Sequence, residues 1–434
     1  MAADGSARSV HLRALLWRLH FWAALLASPF ILVAVLTGIL YIFTPQIEAL
    51  RYQALDHVVP AGAMRPLDDA VGAARAAAPP GWRLRQVLPA YAAHDTVKAQ
   101  FEQGPSPHAG HEGHAEPAAA GPITVYVNPY TAEVAGTLAN EERFGNWSMT
   151  LHSRLLQGDG WRWMIELAAS TMMVMLVTGV ILWWPSSLKK GLPRASARGR
   201  GAWRQWHAFL GVALALITVT ILLTGLTWSK HAGEQIRHAR DAVGQASPAV
   251  PRMTSAAARA RAPLSWQAAW DAARAQAPDV ALRITAPRDA QGTWRIGAND
   301  PGQPFKRFDL LLDAYDGKRL YTSGWDQLSA FGKATAIGIP FHRGEFGWWN
   351  QALLSVFGAG VLFSLVSGWV MYFKRRKGSG SALPPLRQGA WAAEGIRLAP
   401  FAVLACLAMP VLTLWAGAVL VLESLLARTK PASA

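Results

Sequence analysis

Apolar residues are gathered into five long runs, near residues 21–43, 164–184, 207–228, 351–373 and 401–422. Each is long enough to cross about 30 Å of hydrocarbon as a helix of roughly 20 residues. The first is too long for a secretory h-region and no small-residue cleavage site follows it, so it reads as a retained anchor. Between the runs lie two long mixed segments, 44–147 and 229–340, each with room for a small α+β domain. In the first, Pro66 with Asp68 and Asp69 predicts a helix over 67–78, and alternation predicts strands over 83–88 and 124–127. In the second, Ser265 caps a predicted helix over 266–277, followed by strands near 280–285, 292–297 and 307–312.

The two halves repeat. The interval from His20 to His207 equals that from Thr37-Gly38 to Thr224-Gly225, and His152 with Thr178-Gly179 corresponds closely to His342 with Ser367-Gly368. The mixed segments end alike too, in Asn128-Pro129-Tyr130-Thr131-Ala132 and Asp313-Ala314-Tyr315-Asp316-Gly317. The Thr-Gly pairs are expected to let helices approach closely.

Composition agrees with membrane burial: 52% of residues are hydrophobic and 16% charged, against about 25% charged in soluble chains. The net charge of +15 does not imply nucleic acid, because Lys and Arg gather beside the apolar runs. Arg8, Arg13 and Arg18, then Lys189, Lys190, Arg194, Arg198, Arg200 and Arg204, then Lys374, Arg375, Arg376, Lys377 and Arg387 mark three cytoplasmic stretches. The expected order is then a cytoplasmic N-terminus with the first span (1–43), a periplasmic domain (44–147), and a His152 segment with the second span (148–184). A basic cytoplasmic loop (185–206), the third span (207–228), a second periplasmic domain (229–340), a His342 segment with the fourth span (341–373), a cytoplasmic loop (374–399) and a fifth span with its tail (400–434) complete it. The expected fold is a membrane all-α bundle of about five helices carrying two periplasmic α+β domains.

Histidine is the informative residue. His20 and His207 each open a span at the cytoplasmic side, and His152 and His342 each precede a descending span at the periplasmic side. A single interfacial histidine is ordinarily an anchor or a packing residue. Four in two symmetric, same-side pairs point instead to axial ligation of haem iron, which needs two facing neutral imidazoles per haem. Cys406 is the sole cysteine, so neither a Cys-ligated cluster nor a Cys-x-x-Cys-His attachment is available, and two noncovalent b-type haems are the expected cofactors. Arg18, Arg154 and Arg343 lie close enough in sequence to serve propionates or to snorkel, and His11 and His231 are secondary candidates. His108, His111 and His114 form a glycine-interleaved tract suited to loose metal scavenging. Most of the 20 Trp residues, including Trp161, Trp163, Trp183, Trp184, Trp203, Trp348 and Trp349, read as an interfacial belt. No dinucleotide or P-loop motif occurs, so any electron donor is another molecule, a quinol or a reductase.

Arg18-Leu19-His20-Phe21-Trp22, Leu151-His152-Ser153-Arg154-Leu155, Trp206-His207-Ala208-Phe209-Leu210-Gly211 and Phe341-His342-Arg343-Gly344-Glu345 together resemble the PepSY-associated transmembrane family of bacterial inner-membrane proteins. The strand ends around Tyr130 and Tyr315 resemble the PepSY domain ending, with Ala132 in place of its usual glycine and Ala314 in place of its usual proline. The resemblance covers residues 16–373 and implies PepSY-like periplasmic domains, residence in the inner membrane, and reduction of a ferric siderophore at the periplasmic face. Iron regulation and haem content are also family expectations. Two other classes compete with a reductase: a membrane-anchored module binding a periplasmic peptide or protein through the PepSY-like segments, and a ferric-chelate permease. Paired histidines favour the first class, and Pro29 alone is little basis for the broken helices a permease site requires.

Overall fold

Long unbroken apolar sequence becomes long helix wherever no residue interrupts the hydrogen-bond ladder. In the computed structural model, which describes residues 2–103, 121–184, 191–255, 262–277, 279–379, 383–385 and 390–428, α1 runs Ala2–Ile42 and continues through Pro29. The tract His108, His111 and His114, and the basic residues Lys189, Lys190 and Arg387, lie outside the described residues. The chain forms two units, one of Met1–Ile42, Met149–Gly244 and Phe341–Ala434, the other of Phe43–Ser148 and Gln245–Pro340.

The first unit is helical. Among the described residues, His11–Ile42, Asp159–Trp183 and Trp348–Arg376 are long and apolar enough to cross a membrane. The run expected as the third span is two helices bent by 59°, Gly199–Ala213 and Ala215–Leu226. At the bend, Leu214 packs straight over Gly360, where any side chain on the facing helix would collide with it. Counting that pair as one span makes four. The run expected as a fifth span is instead interrupted between Ala390–Ala408 and Leu412–Arg428. Pro410 sits in the break, where it has no N–H for the ladder and its ring opposes the preceding turn. These C-terminal helices are held by Trp415 and Val419 packed against Trp22 and Ala23. A buried ion pair joins them to α1: Arg18 donates to Glu423 at 2.6 and 3.0 Å, and the Trp22 indole donates to the same carboxylate. Leu36, Val177, Leu216, Val356 and Val366 are exposed on these helices, a surface suited to lipid rather than water.

The second unit corrects an expectation. The two mixed segments, read as separate domains, each supply four strands to one antiparallel sheet in the order β4-β3-β2-β1-β5-β6-β7-β8. The first segment provides β1 (Trp82–Leu88), β2 (Val97–Gln103), β3 (Ile123–Val127) and β4 (Val134–Ala139). The second provides β5 (Leu282–Thr285), β6 (Thr293–Ala298), β7 (Phe308–Asp313) and β8 (Arg319–Gly324). Alone, each half would leave β1 or β5 as a bare edge; pairing Val87 with Ile284 removes both edges at once. The helices before them, Leu67–Ala77 and Trp266–Arg274, exchange end contacts. Asp68 accepts the N–H groups of Trp266 and Gln267 at 2.9 and 3.0 Å, and the Gln267 side chain accepts the N–H of Leu67 at 2.8 Å. One core results, with Leu67, Val71, Val87, Phe101 and Val125 from one half and Trp266, Ile284, Trp294, Ile296 and Leu312 from the other.

The matching segment ends are matching turns. Asn128 and Asp313 accept the amides of Tyr130 and Tyr315 at 2.9 and 2.8 Å, and each tyrosine hydroxyl donates to a backbone carbonyl, of Ala93 and Ala290, at 2.7 Å. Both turns need a left-handed residue, which is Gly317 at φ 70° in one and Ala132 at φ 61° in the other. Ala132 bears a steric strain that Gly317 avoids. In the same half Arg143 bonds Asp56 at 2.8 Å, Glu48 at 2.9 Å and the Tyr126 hydroxyl at 2.8 Å, and Lys98 reaches Asp56 at 2.6 Å. Burial acts to raise the Asp56 pKa, but the hydrogen bonds and charges of Arg143 and Lys98 outweigh it and hold the carboxyl below its ordinary 3.8.

Two outcomes follow from these contacts. Ala132→Gly is expected to raise stability by about 1 kcal/mol and Gly317→Ala to lower it by a similar amount, read from thermal unfolding of the purified protein. Because the folded pKa of Asp56 lies below the unfolded one, its ionised form stabilises fully above about pH 4 and that stability is lost as pH falls through the lower, folded value. Acid unfolding of Asp56→Asn should therefore show less pH dependence in that window than the parent protein does.

Candidate functional site

A partly buried imidazole in a helix bundle has two ring nitrogens to satisfy, and in this helical unit one of them is satisfied the same way four times. His20 of α1 meets the Thr178 hydroxyl at 3.0 Å through Nδ1. His152, near the end of the helix Phe144–Arg154, meets the Thr37 hydroxyl at 2.9 Å through Nδ1. His342, near the end of Ala330–Arg343, meets the Thr224 hydroxyl at 3.0 Å and the Ile221 carbonyl at 3.1 Å. His207 meets the Ser367 hydroxyl at 2.8 Å and the Ser364 carbonyl at 3.1 Å. At His207 and His342 the carbonyl can only accept, so Nδ1 carries the hydrogen and Nε2 is left as the lone-pair nitrogen. The Thr37 and Thr178 hydroxyls already point at carbonyls four residues back, Val33 and Val174, both at 2.7 Å. Their oxygens are thereby left to accept from His152 and His20, which sets the same tautomer.

The Thr-Gly pairs thus have a role different from the expected helix packing. A Cβ at Gly38, Gly179 or Gly225 would stand 3.3, 3.2 and 3.1 Å from the Cε1 of His152, His20 and His342. Glycine there makes room for a ring, and the residue before it holds that ring. In the fourth corner a Cβ at Gly368 would meet nothing within 4 Å, so Ser367 holds His207 without such a constraint.

The four corners fall at two levels. Thr37 follows His20 by about 17 residues on α1, which is about 25 Å along the helix axis. Near one end His20 and His207 face each other with ring centroids 6.3 Å apart and planes at 85°. A metal held between two imidazole nitrogens at about 2 Å each, with about 1.1 Å from nitrogen to ring centre, separates the centroids by about 6.2 Å. The His20–His207 separation matches that value. At the other level lie His152 on Thr37 and His342 on Thr224.

The remaining sequence candidates are placed differently. Arg18 is committed to Glu423 and the Pro384 carbonyl, Arg154 pairs with Asp159, and Arg343 bonds Glu345 at 3.0 Å and the Tyr41 hydroxyl at 2.7 Å. His231 opens the helix His231–Ala242, and its N–H and that of Ala232 are capped by the buried Glu166 at 3.0 and 2.6 Å. The His11 Nδ1 is buried without a hydrogen-bond partner. The helices bearing His152 and His342 both end in left-handed residues, Leu155 at φ 51° and Gly344 at φ 75°. The sequence reading found the threonines but not their partners, since the repeat shows position along a helix and not which helix faces it.

The four histidines and their hydroxyl partners all lie within residues 17–375, which match the model of a family described as a PepSY-associated TM region. No curated protein matches the chain. With most of its length matched, and with membrane-length apolar helices in the matched stretch, the chain is a membrane protein and belongs to the PepSY-associated transmembrane family.

Proposed function

We propose that this chain is a two-haem electron-transfer protein of the bacterial inner membrane that reduces ferric siderophores at the periplasmic face. The observation that carries the reading is the set of four imidazoles whose Nδ1 atoms are held by Thr178, Thr37, Thr224 and Ser367, leaving Nε2 free to ligate. His20 with His207 would hold one haem b and His152 with His342 the other. Bound haem supplies a one-electron Fe(III)/Fe(II) couple at each level.

The protein's own part is to position and to insulate. Each hydroxyl or carbonyl fixes ring rotation and tautomer, so the ligand geometry is set before a metal arrives. With the hydrogen on Nδ1, each neutral ring keeps Nε2 as its lone-pair nitrogen for ligation. In this reading the basic stretches face the cytoplasm and the two large segments the periplasm, so the two levels divide the membrane thickness. The donor is external, a quinol or a reductase. One electron delivered to a ferric chelate leaves Fe(II), whose smaller charge holds anionic oxygens less strongly, and the iron is released.

Protein purified from haem-replete cells should contain close to two haems per chain by pyridine haemochrome assay. His20→Ala or His207→Ala should remove one haem and leave the other, with His152→Ala or His342→Ala doing the converse. A ferric siderophore should reoxidise the dithionite-reduced protein under anaerobic conditions. Folded protein without haem would return the reading to a membrane-anchored PepSY-type binding module, and haem that no ferric chelate reoxidises would remove the reductase assignment.

A further inference from the structure

Outside the helical unit, the chain brings His57 to the adjacent pair His94-Asp95, a juxtaposition that no short spacing in the sequence predicts. His57 follows the short helix Gln53–Asp56, and His94 and Asp95 lie in the turn between β1 and β2. The two segments are pinned backbone to backbone. His57 and Asp95 form an antiparallel bridge, the Val58 N–H donates to the His94 carbonyl at 2.8 Å, and the Thr96 N–H donates to the Asp56 carbonyl at 3.0 Å. The Thr96 hydroxyl adds a bond to the Leu55 carbonyl at 2.8 Å. The side chains therefore meet because the main chain holds them there.

We propose that His57, His94 and Asp95 form a binding site for a divalent transition-metal ion, independent of the haem reading. The carboxylate is oriented: one Asp95 oxygen accepts the Ala92 N–H at 2.8 Å, which leaves the other directed at both rings. That second oxygen lies 3.6 Å from His57 Nδ1 and 3.7 Å from His94 Nε2. Both distances are too long for hydrogen bonds. They are close to the spacing of about 3.3–3.6 Å between donors that surround one tetrahedral ion at 2.0–2.2 Å. One ligand atom from each residue lies within 4.8 Å of the others, so small side-chain adjustments bring all three to bonding distance.

The donor set selects the ion. Two imidazoles and one carboxylate suit Fe(II), Co(II), Ni(II) or Zn(II), whereas Ca(II) and Mg(II) require oxygen shells. Three protein ligands leave positions for water or an exogenous group, and the exposure of both histidines gives the ion access from solvent. Lys98 and Arg143 are both bound to Asp56. Among the described residues the Asp95 carboxylate has its ion-pair contacts with His57 and His94.

The test uses the full-length protein, stripped with EDTA, with His108, His111 and His114 replaced by Ala so that their tract does not contribute. Titrated with Co(II), it should bind one equivalent with a visible ligand-field absorption that Zn(II) abolishes by displacement. His94→Gln, His57→Ala and Asp95→Asn should each weaken Co(II) binding by about 10-fold or more while circular dichroism is unchanged. Asp95→Asn preserves the acceptor for the Ala92 N–H, so its effect reports on ligation and not on loop folding. Co(II) affinity unchanged in both Asp95→Asn and His94→Gln would overturn the proposal, whether or not the protein carries haem.

Discussion

An imidazole enclosed by apolar helices must have both ring nitrogens accounted for, and the helical unit depends on how that demand is met. A fully buried polar group left unpaired costs roughly 1–3 kcal/mol, so a partly buried ring among helices gains from a fixed partner. Here each Nδ1 is met by a threonine or serine hydroxyl from another helix. That contact satisfies one nitrogen of each ring and leaves Nε2 as the nitrogen a metal can take. Much else follows from this. Helix α1 carries a histidine near one end and a Thr-Gly pair about 25 Å further along, and so contributes a ring to one level and a support to the other.

The same economy of shape explains the glycines. At three of the four corners a side chain in place of glycine would press against the histidine Cε1 and push the ring away from its hydroxyl. The ring is thus held by a hydrogen bond and given its space by the neighbouring glycine. In the sheet unit the constraint is different. Two four-stranded halves each have an edge to hide, and Asp68 and Gln267 exchange hydrogen bonds across the helix ends at the join of β1 with β5.

How far the sequence could be read depended on whether the signal was local. The helices near 67–78 and 266–277 and the strands near 83–88, 124–127 and 307–312 were legible because capping residues and alternation are local features. β2 was legible in principle, since Val97, Ala99 and Phe101 alternate with polar residues and all three are buried, but it lacks a flanking turn signal of the Asn-Gly kind. Pro410 marked a break that the apolar run around it concealed. The bend at Leu214 had no proline to mark it, and the residue that gives Leu214 its space there, Gly360, lies about 150 residues away. The merging of two segments into one sheet and the convergence of His57 with His94 and Asp95 are both products of tertiary pairing, which leaves no periodic trace. The Thr-Gly repeats were visible, and their role became apparent only with the facing helix in view.

The central claim is that hydroxyl-supported histidines present Nε2 atoms in facing pairs to iron. Low-temperature electron paramagnetic resonance of the oxidised, purified protein tests it most directly, because bis-imidazole coordination gives low-spin ferric signals that respond to ring orientation. The account predicts two such signals, of which Thr178→Val shifts one and leaves the other in place. High-spin ferric iron in the parent protein, or signals indifferent to Thr178→Val, would contradict it.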